Sequence, residues 1–155
     1  MTLDLIFDLA NVFVLPFWVL MILLPKWGVT RRVMASHLPF VALAAAYIYG
    51  FVNSIDPDTA EAFTQTDLTT ITQLFSTPAV AATGWIHFLV MDLFVGRWIY
   101  LEGERTGTWT VHSLVLCLFA GPMGLLSHIV TQWVSQRGKA TDATVSSADP
   151  ATQAD

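Results

Sequence analysis

Long apolar runs dominate the chain. They alternate with short polar segments and show neither the period of two of a half-buried strand nor the narrow stripe of a surface helix. A helix that crosses a bilayer needs about 17–25 mostly apolar residues. Four segments meet that length or come close to it: Leu5–Leu24, Leu38–Asn53, Pro78–Leu101 and Val111–Trp133. The pattern therefore predicts an all-α polytopic membrane protein, a four-transmembrane-helix bundle, over residues 1–135. Residues 136–155 are rich in Ala, Thr, Ser and Asp and are expected to form a disordered polar tail.

Start and stop signals agree with these spans. Pro25 follows the first, Ser36 and Pro39 precede or open the second, and Thr77-Pro78 opens the third. Pro16 lies inside the first span and Pro122 inside the fourth, and each removes a backbone hydrogen bond, so helices 1 and 4 are expected to kink. Gly121 and Gly124 flank Pro122, which places the second bend near mid-membrane. After Asp56-Pro57, the apolar residues Phe63, Leu68, Ile71, Leu74 and Phe75 read either as a short interfacial helix or as a partly ordered loop.

Composition sharpens the class. Of the 155 residues, 54% are hydrophobic and only 12% charged, about half the charged share of a soluble domain. The net charge is −5 with seven scattered Lys+Arg, which excludes a nucleic-acid surface. The single cysteine, Cys117, rules out an intramolecular disulfide. With four spans, Lys26, Arg31, Arg32, Arg97 and Arg105 fall on one side, and Arg137 and Lys139 on the other. That five-to-two bias places the first and third loops in the cytoplasm and both termini outside it. Trp27, Trp98, Trp109 and Trp133 sit near span ends, as an aromatic belt would.

Ionisable and polar groups inside spans are expensive, so each marks a candidate site. Asp8 and Asn11 share a face of the first span, Tyr47 lies on the second, His87 on the third and His128 on the fourth. All four helices thus offer polar groups to the same half of the bilayer. Asp92 lies deeper, and nothing on its own helix neutralises it: Arg97, five residues on, points about 140° away. Each has a bland counterpart: a helix-start charge for Asp8, a packing histidine for His87 and a snorkelling anchor for Arg97. Trp18, Trp85, Phe88, Phe94 and Phe119 suit either a long flat hydrocarbon ligand or plain lipid contact. No phosphate loop, nucleophile elbow or paired-histidine metal spacing occurs, so no metal and no cofactor is expected.

Two of these stretches are specific. "GWIHFLVMDLFVGRWIY" (residues 84–100) and "HSLVLCLFAGPMGLLSHIVT" (residues 112–131) resemble the abscisic-acid-deficient-four family, plastid membrane proteins needed for neoxanthin formation. "VLPFWVLMILLP" and "RRVMASHLPFVALAAAYIY" fit in order and spacing. The resemblance implies a role in xanthophyll metabolism, with a long apolar carotenoid-type ligand, the lipid bilayer and partner membrane proteins as the expected associates. In plants the family is tied to converting the epoxide violaxanthin into the allene neoxanthin, a redox-neutral isomerisation. On this chain the acid falls to Asp92 and the base to His87, with Asp8, Asn11, Trp18, Tyr47, Trp85, Arg97 and His128 as substrate-binding residues. The alternative is a non-catalytic carotenoid binder or structural subunit. No Arg/Ser-rich transit segment precedes the first span, which fits either a bacterial inner-membrane relative or a mature form with its leader trimmed.

Overall fold

The computed structural model describes residues 2–65 and 67–148. Among them every regular element is helical. In chain order these are α1 (Leu3–Leu23), α2 (Gly28–Ala35), α3 (Leu38–Ser54), α4 (Pro57–Ala62), α5 (Leu68–Ser76), α6 (Pro78–Thr106), α7 (Val111–Phe119) and α8 (Gly121–Ala148). The all-α expectation holds. Helix α8 continues through part of the expected polar tail, to Ala148, and residues 149–155 lie outside the described residues.

Helix α6 is the central post. Its 29 residues extend about 43 Å, longer than the roughly 30 Å hydrocarbon core, so its ends emerge on both sides. Helix α1 lies parallel to it: Asn11 meets Trp85, Trp18 meets Gly96 and the Pro25 carbonyl meets Tyr100. Gly96 is what permits the middle contact, because a Cβ there would lie 2.6 Å from the Trp18 ring. Helix α1 runs unbroken through Pro16. Helix α3 lies antiparallel to α6, with Phe40 against Phe94, Tyr47 against His87, and Gly50 and Ser54 against Thr83. Helix α2 precedes α3 at a 45° bend.

The fourth apolar segment does not cross. Cys117 packs on Gly124, Ser113 Oγ lies 3.0 Å from Ser127 Oγ, and His112 Nε2 lies 2.9 Å from Thr131 Oγ1. Residues 112 and 131 would be about 28 Å apart on one straight helix. The chain instead turns back at Ala120, so α7 and α8 form an antiparallel helical hairpin. Against α6, Thr110 meets Gly103 and Cys117 meets Asp92; then Gly121 meets Asp92, His128 meets Trp98 and Gln132 meets Glu102. The hairpin dips in from the end where α6 finishes, reaches the middle of α6 and returns to the same end. Proline 122 and its flanking glycines, expected to bend a span, sit at the turn.

This corrects the span count and the topology. Helices α1 and α6 are each long and apolar enough to cross, and the bent α2–α3 pair passes the same test when taken as one span. The Leu3 end of α1 and the outgoing end of α8 therefore lie at opposite ends of the bundle, not on one side. The charges agree. Lys26, Arg31, Arg32, Arg97 and Arg105 gather at the hairpin end, and Arg137 and Lys139 follow along α8 beyond Gln132. All seven basic residues thus fall at one end, and a five-to-two split becomes complete segregation. Asp4, Asp8, Asp56, Asp58, Glu61 and Asp67 occupy the opposite end.

Candidate functional site

Two cavities lie on either side of His87 in the half of α6 nearer the acidic end. The larger, about 560 Å³, lies between α6 and the hairpin tip. Helix α6 contributes Trp85, His87, Phe88, Met91, Asp92 and Val95, and the tip contributes Leu118 through Pro122 and Leu125. The smaller, about 240 Å³, lies between α3, α6 and the α4–α5 connection, and is lined mainly by Tyr47, Phe51, Phe63, Phe75, His87 and Phe88. Its cover has local causes. The Asp56 carboxylate accepts the Thr59 amide to start α4, and Asp67 accepts the Thr70 amide and hydroxyl to start α5. These bonds hold the Asp67 carboxyl below its ordinary range. Helix α5 then sets Phe75 against Gly84.

The structure brings His87 and Asp92 onto one cavity wall. They are five residues apart on α6, and the curved wall of the larger cavity takes in both. Asp92, which lacked a partner on its own helix, finds one at the hairpin tip. Its carboxyl lies against Gly121, the first residue of α8, at the end where helix N–H groups lack intrahelical partners. The contact is close enough that a Cβ on Gly121 would collide with Asp92 Oδ1. Cys117 donates its S–H to the Asp92 carbonyl oxygen at 3.4 Å, tying the end of α7 to the same residue.

Trp85 also lines this cavity, and its indole N–H donates to Asn11 Oδ1 at 2.9 Å. Asn11 donates back to the Phe7 carbonyl, so it orients Trp85 from behind. Tyr47 lines the smaller cavity, its ring 5.5 Å from the His87 imidazole.

Four other expected ligand contacts lie elsewhere. Trp18 is buried under Gly96 as core. Arg97 donates to the Met34 carbonyl near the end of α2 and lies over the Phe40 ring, so it pins α2 and α3 to α6. Asp8 is exposed on α1 and lines none of the described cavities. His128 is fully buried inside the hairpin, edge-on to Trp98. Sequence reasoning missed Gly121 as the partner of Asp92 and the aromatic cover from Phe51, Phe63 and Phe75. The Gly-Pro-x-Gly run was the available signal for the first.

Comparison with known proteins places these features in a family. The family model described as ABA DEFICIENT 4-like matches residues 5–128. The chain belongs to that family. It is also 36% identical over 132 residues to Protein ABA DEFICIENT 4, chloroplastic, of Arabidopsis thaliana, covering 82% of this chain. The chain spans 60% of that relative's length. The matched segment includes α6, with His87 and Asp92, and the hairpin tip. The relative's chloroplast location gives no support to the expected bacterial inner membrane. No solved structure matches the chain.

Proposed function

We propose that this protein acts in xanthophyll metabolism as a membrane-embedded isomerase that opens an epoxy-carotenoid to an allene. The observation that carries the reading is the shared wall of the larger cavity, where an imidazole and a carboxyl face one apolar, aromatic-lined space in a chain of the ABA DEFICIENT 4-like family. A cavity of about 560 Å³ suits the ring end of a carotenoid, with the rest of the polyene lying along lipid-facing aromatic residues.

The chemistry is redox-neutral. His87 removes a proton from the polyene carbon beside the epoxide. The C–O bond breaks as the cumulated double bond forms, and Asp92 delivers a proton to the leaving oxygen. Passing one proton from His87 back to Asp92 resets the pair. With Oδ1 turned to Gly121, the other carboxyl oxygen is left for the ligand. Trp85, fixed by Asn11, and Tyr47 orient the polyene.

One observation favours a second reading, a carotenoid binder without turnover: Asp92 already has a structural task at the start of α8. Pigment analysis separates the two. The protein would be expressed in a bacterium engineered to make violaxanthin and zeaxanthin, and membrane and copurified pigments resolved by chromatography. The isomerase reading expects a new allenic product that falls about 10²–10⁴-fold in His87→Ala and Asp92→Asn at equal protein level. Unchanged violaxanthin copurifying with the wild type would establish the binder. Well-folded protein with neither product nor bound pigment would sink both.

A further inference from the structure

The hairpin interior carries a cluster of polar side chains that neither cavity uses. His128 is fully buried between α6, α7 and α8, and neither of its ring nitrogens has a hydrogen-bond partner among the described residues. His112 Nδ1 is buried and unpartnered as well. An imidazole always carries at least one N–H to donate, and in its neutral form also a lone pair to fill. A hydroxyl chain runs to the His112 ring. Ser127 Oγ lies 3.0 Å from Ser113 Oγ, which lies 3.1 Å from His112 Nε2, which lies 2.9 Å from Thr131 Oγ1. Towards the basic end the cluster meets Glu102, whose carboxylate accepts from Gln132 at 2.8 Å and pairs with Arg105. Glu102 on α6 and His112 on α7 are the titratable groups that act electrostatically on His128.

A purely packing histidine would present its ring to apolar neighbours and satisfy at least one nitrogen. Here three buried ring nitrogens lack partners, in a hairpin that also carries the hydroxyls of Ser113, Ser127 and Thr131 and whose open end lies at the basic face. Groups of this kind are met in proteins by ordered water, which needs two to four polar partners and little volume. We propose that the α7–α8 hairpin holds internal water bridging His128 to His112 and the serine pair, exchanging with the basic face past Glu102 and Gln132. The site takes water and its proton; it does not depend on the carotenoid reading, and the two fail separately.

The test is water-to-imidazole magnetisation transfer in solid-state NMR, on the full chain in lipid bilayers with 15N-labelled histidine. The chain has four histidines, at 37, 87, 112 and 128, so the signals are assignable by single substitution. We expect the His128 nitrogens to receive water magnetisation as the exposed His37 does, and His128→Phe to remove those cross-peaks while leaving those of His37. A His128 signal that is present but receives no magnetisation from water would overturn the proposal. If His128→Phe fails to fold, His37→Gln, His87→Gln and His112→Gln assign the remaining signal by elimination, and the same comparison decides.

Discussion

Asp92 shows how much one side chain can settle. In sequence it is an unexplained acid deep in an apolar helix. In the fold its carboxyl lies against the first residue of α8, and the absence of a side chain on Gly121 makes that approach possible. Gly121→Ala should therefore push the hairpin tip away from α6. Overpacking of this kind costs about 1–3 kcal/mol, and the expected result is a lower unfolding temperature in detergent. Asp92→Asn keeps an acceptor oxygen for the Gly121 amide and Asp92→Ala does not. The stability loss should accordingly be smaller in Asn, with Ala costing about 0.5–2 kcal/mol, as loss of a helix cap does. Equal losses would show that the amide contact is not what holds the tip. His87 and Asp92 were legible from the sequence because polar groups in a span stand out. Gly121 was not, since a glycine announces a close approach without naming what approaches.

At the scale of elements, apolar length proved a good guide to α1 and α6 and a poor one to the last hydrophobic segment. Val111–Trp133 has the length of a span, but what decides its path is a set of contacts between residues 7 to 19 apart, which hydropathy does not register. Its polar residues were the better evidence: the Ser113–Ser127 and His112–Thr131 pairs form only when the segment folds back. The small helices of the acidic end were half legible: Asp56-Pro57 marked one start, whereas the sequence reading passed over Asp67, which caps the other. Helix α5 is tied to pH through its cap. The folded-state Asp67 carboxyl titrates below its ordinary 3.8, so its stabilising effect is complete above that value and is lost as pH falls through the lowered one. Hydrogen exchange of the peptide covering residues 68–76, corrected for intrinsic rates, should show α5 losing protection across that acid range. In Asp67→Ala the protection should already be reduced at neutral pH. Protection that is unchanged in the variant would remove the cap from the account.

Across the whole molecule, the three-crossing topology makes a prediction that a four-span bundle does not share. Single cysteines placed at Thr2 and at Arg137, in a Cys117→Ala background, should react with a membrane-impermeant maleimide from opposite sides of sealed vesicles. A cysteine at Glu61 should behave like the one at Thr2. Labelling of positions 2 and 137 from the same side would restore the fourth span. The charge segregation argues for the same answer, because the hairpin alone brings Arg137 and Lys139 to the end that already holds the other five basic residues.

The hairpin's shortness has one more consequence. With only nine residues, α7 reaches about 13.5 Å along α6, less than half the hydrocarbon thickness. Above its tip, on the acidic side, no part of the hairpin flanks α6, and the larger cavity lies there with the tip as its floor. The site is thus a notch in one leaflet only. On the proposed reading, a hydrophobic molecule dissolved in that monolayer would reach the cavity sideways without entering water, while one in the opposite monolayer would meet the packed flank of the hairpin. The side of the membrane on which such a ligand is delivered would then govern whether it is found.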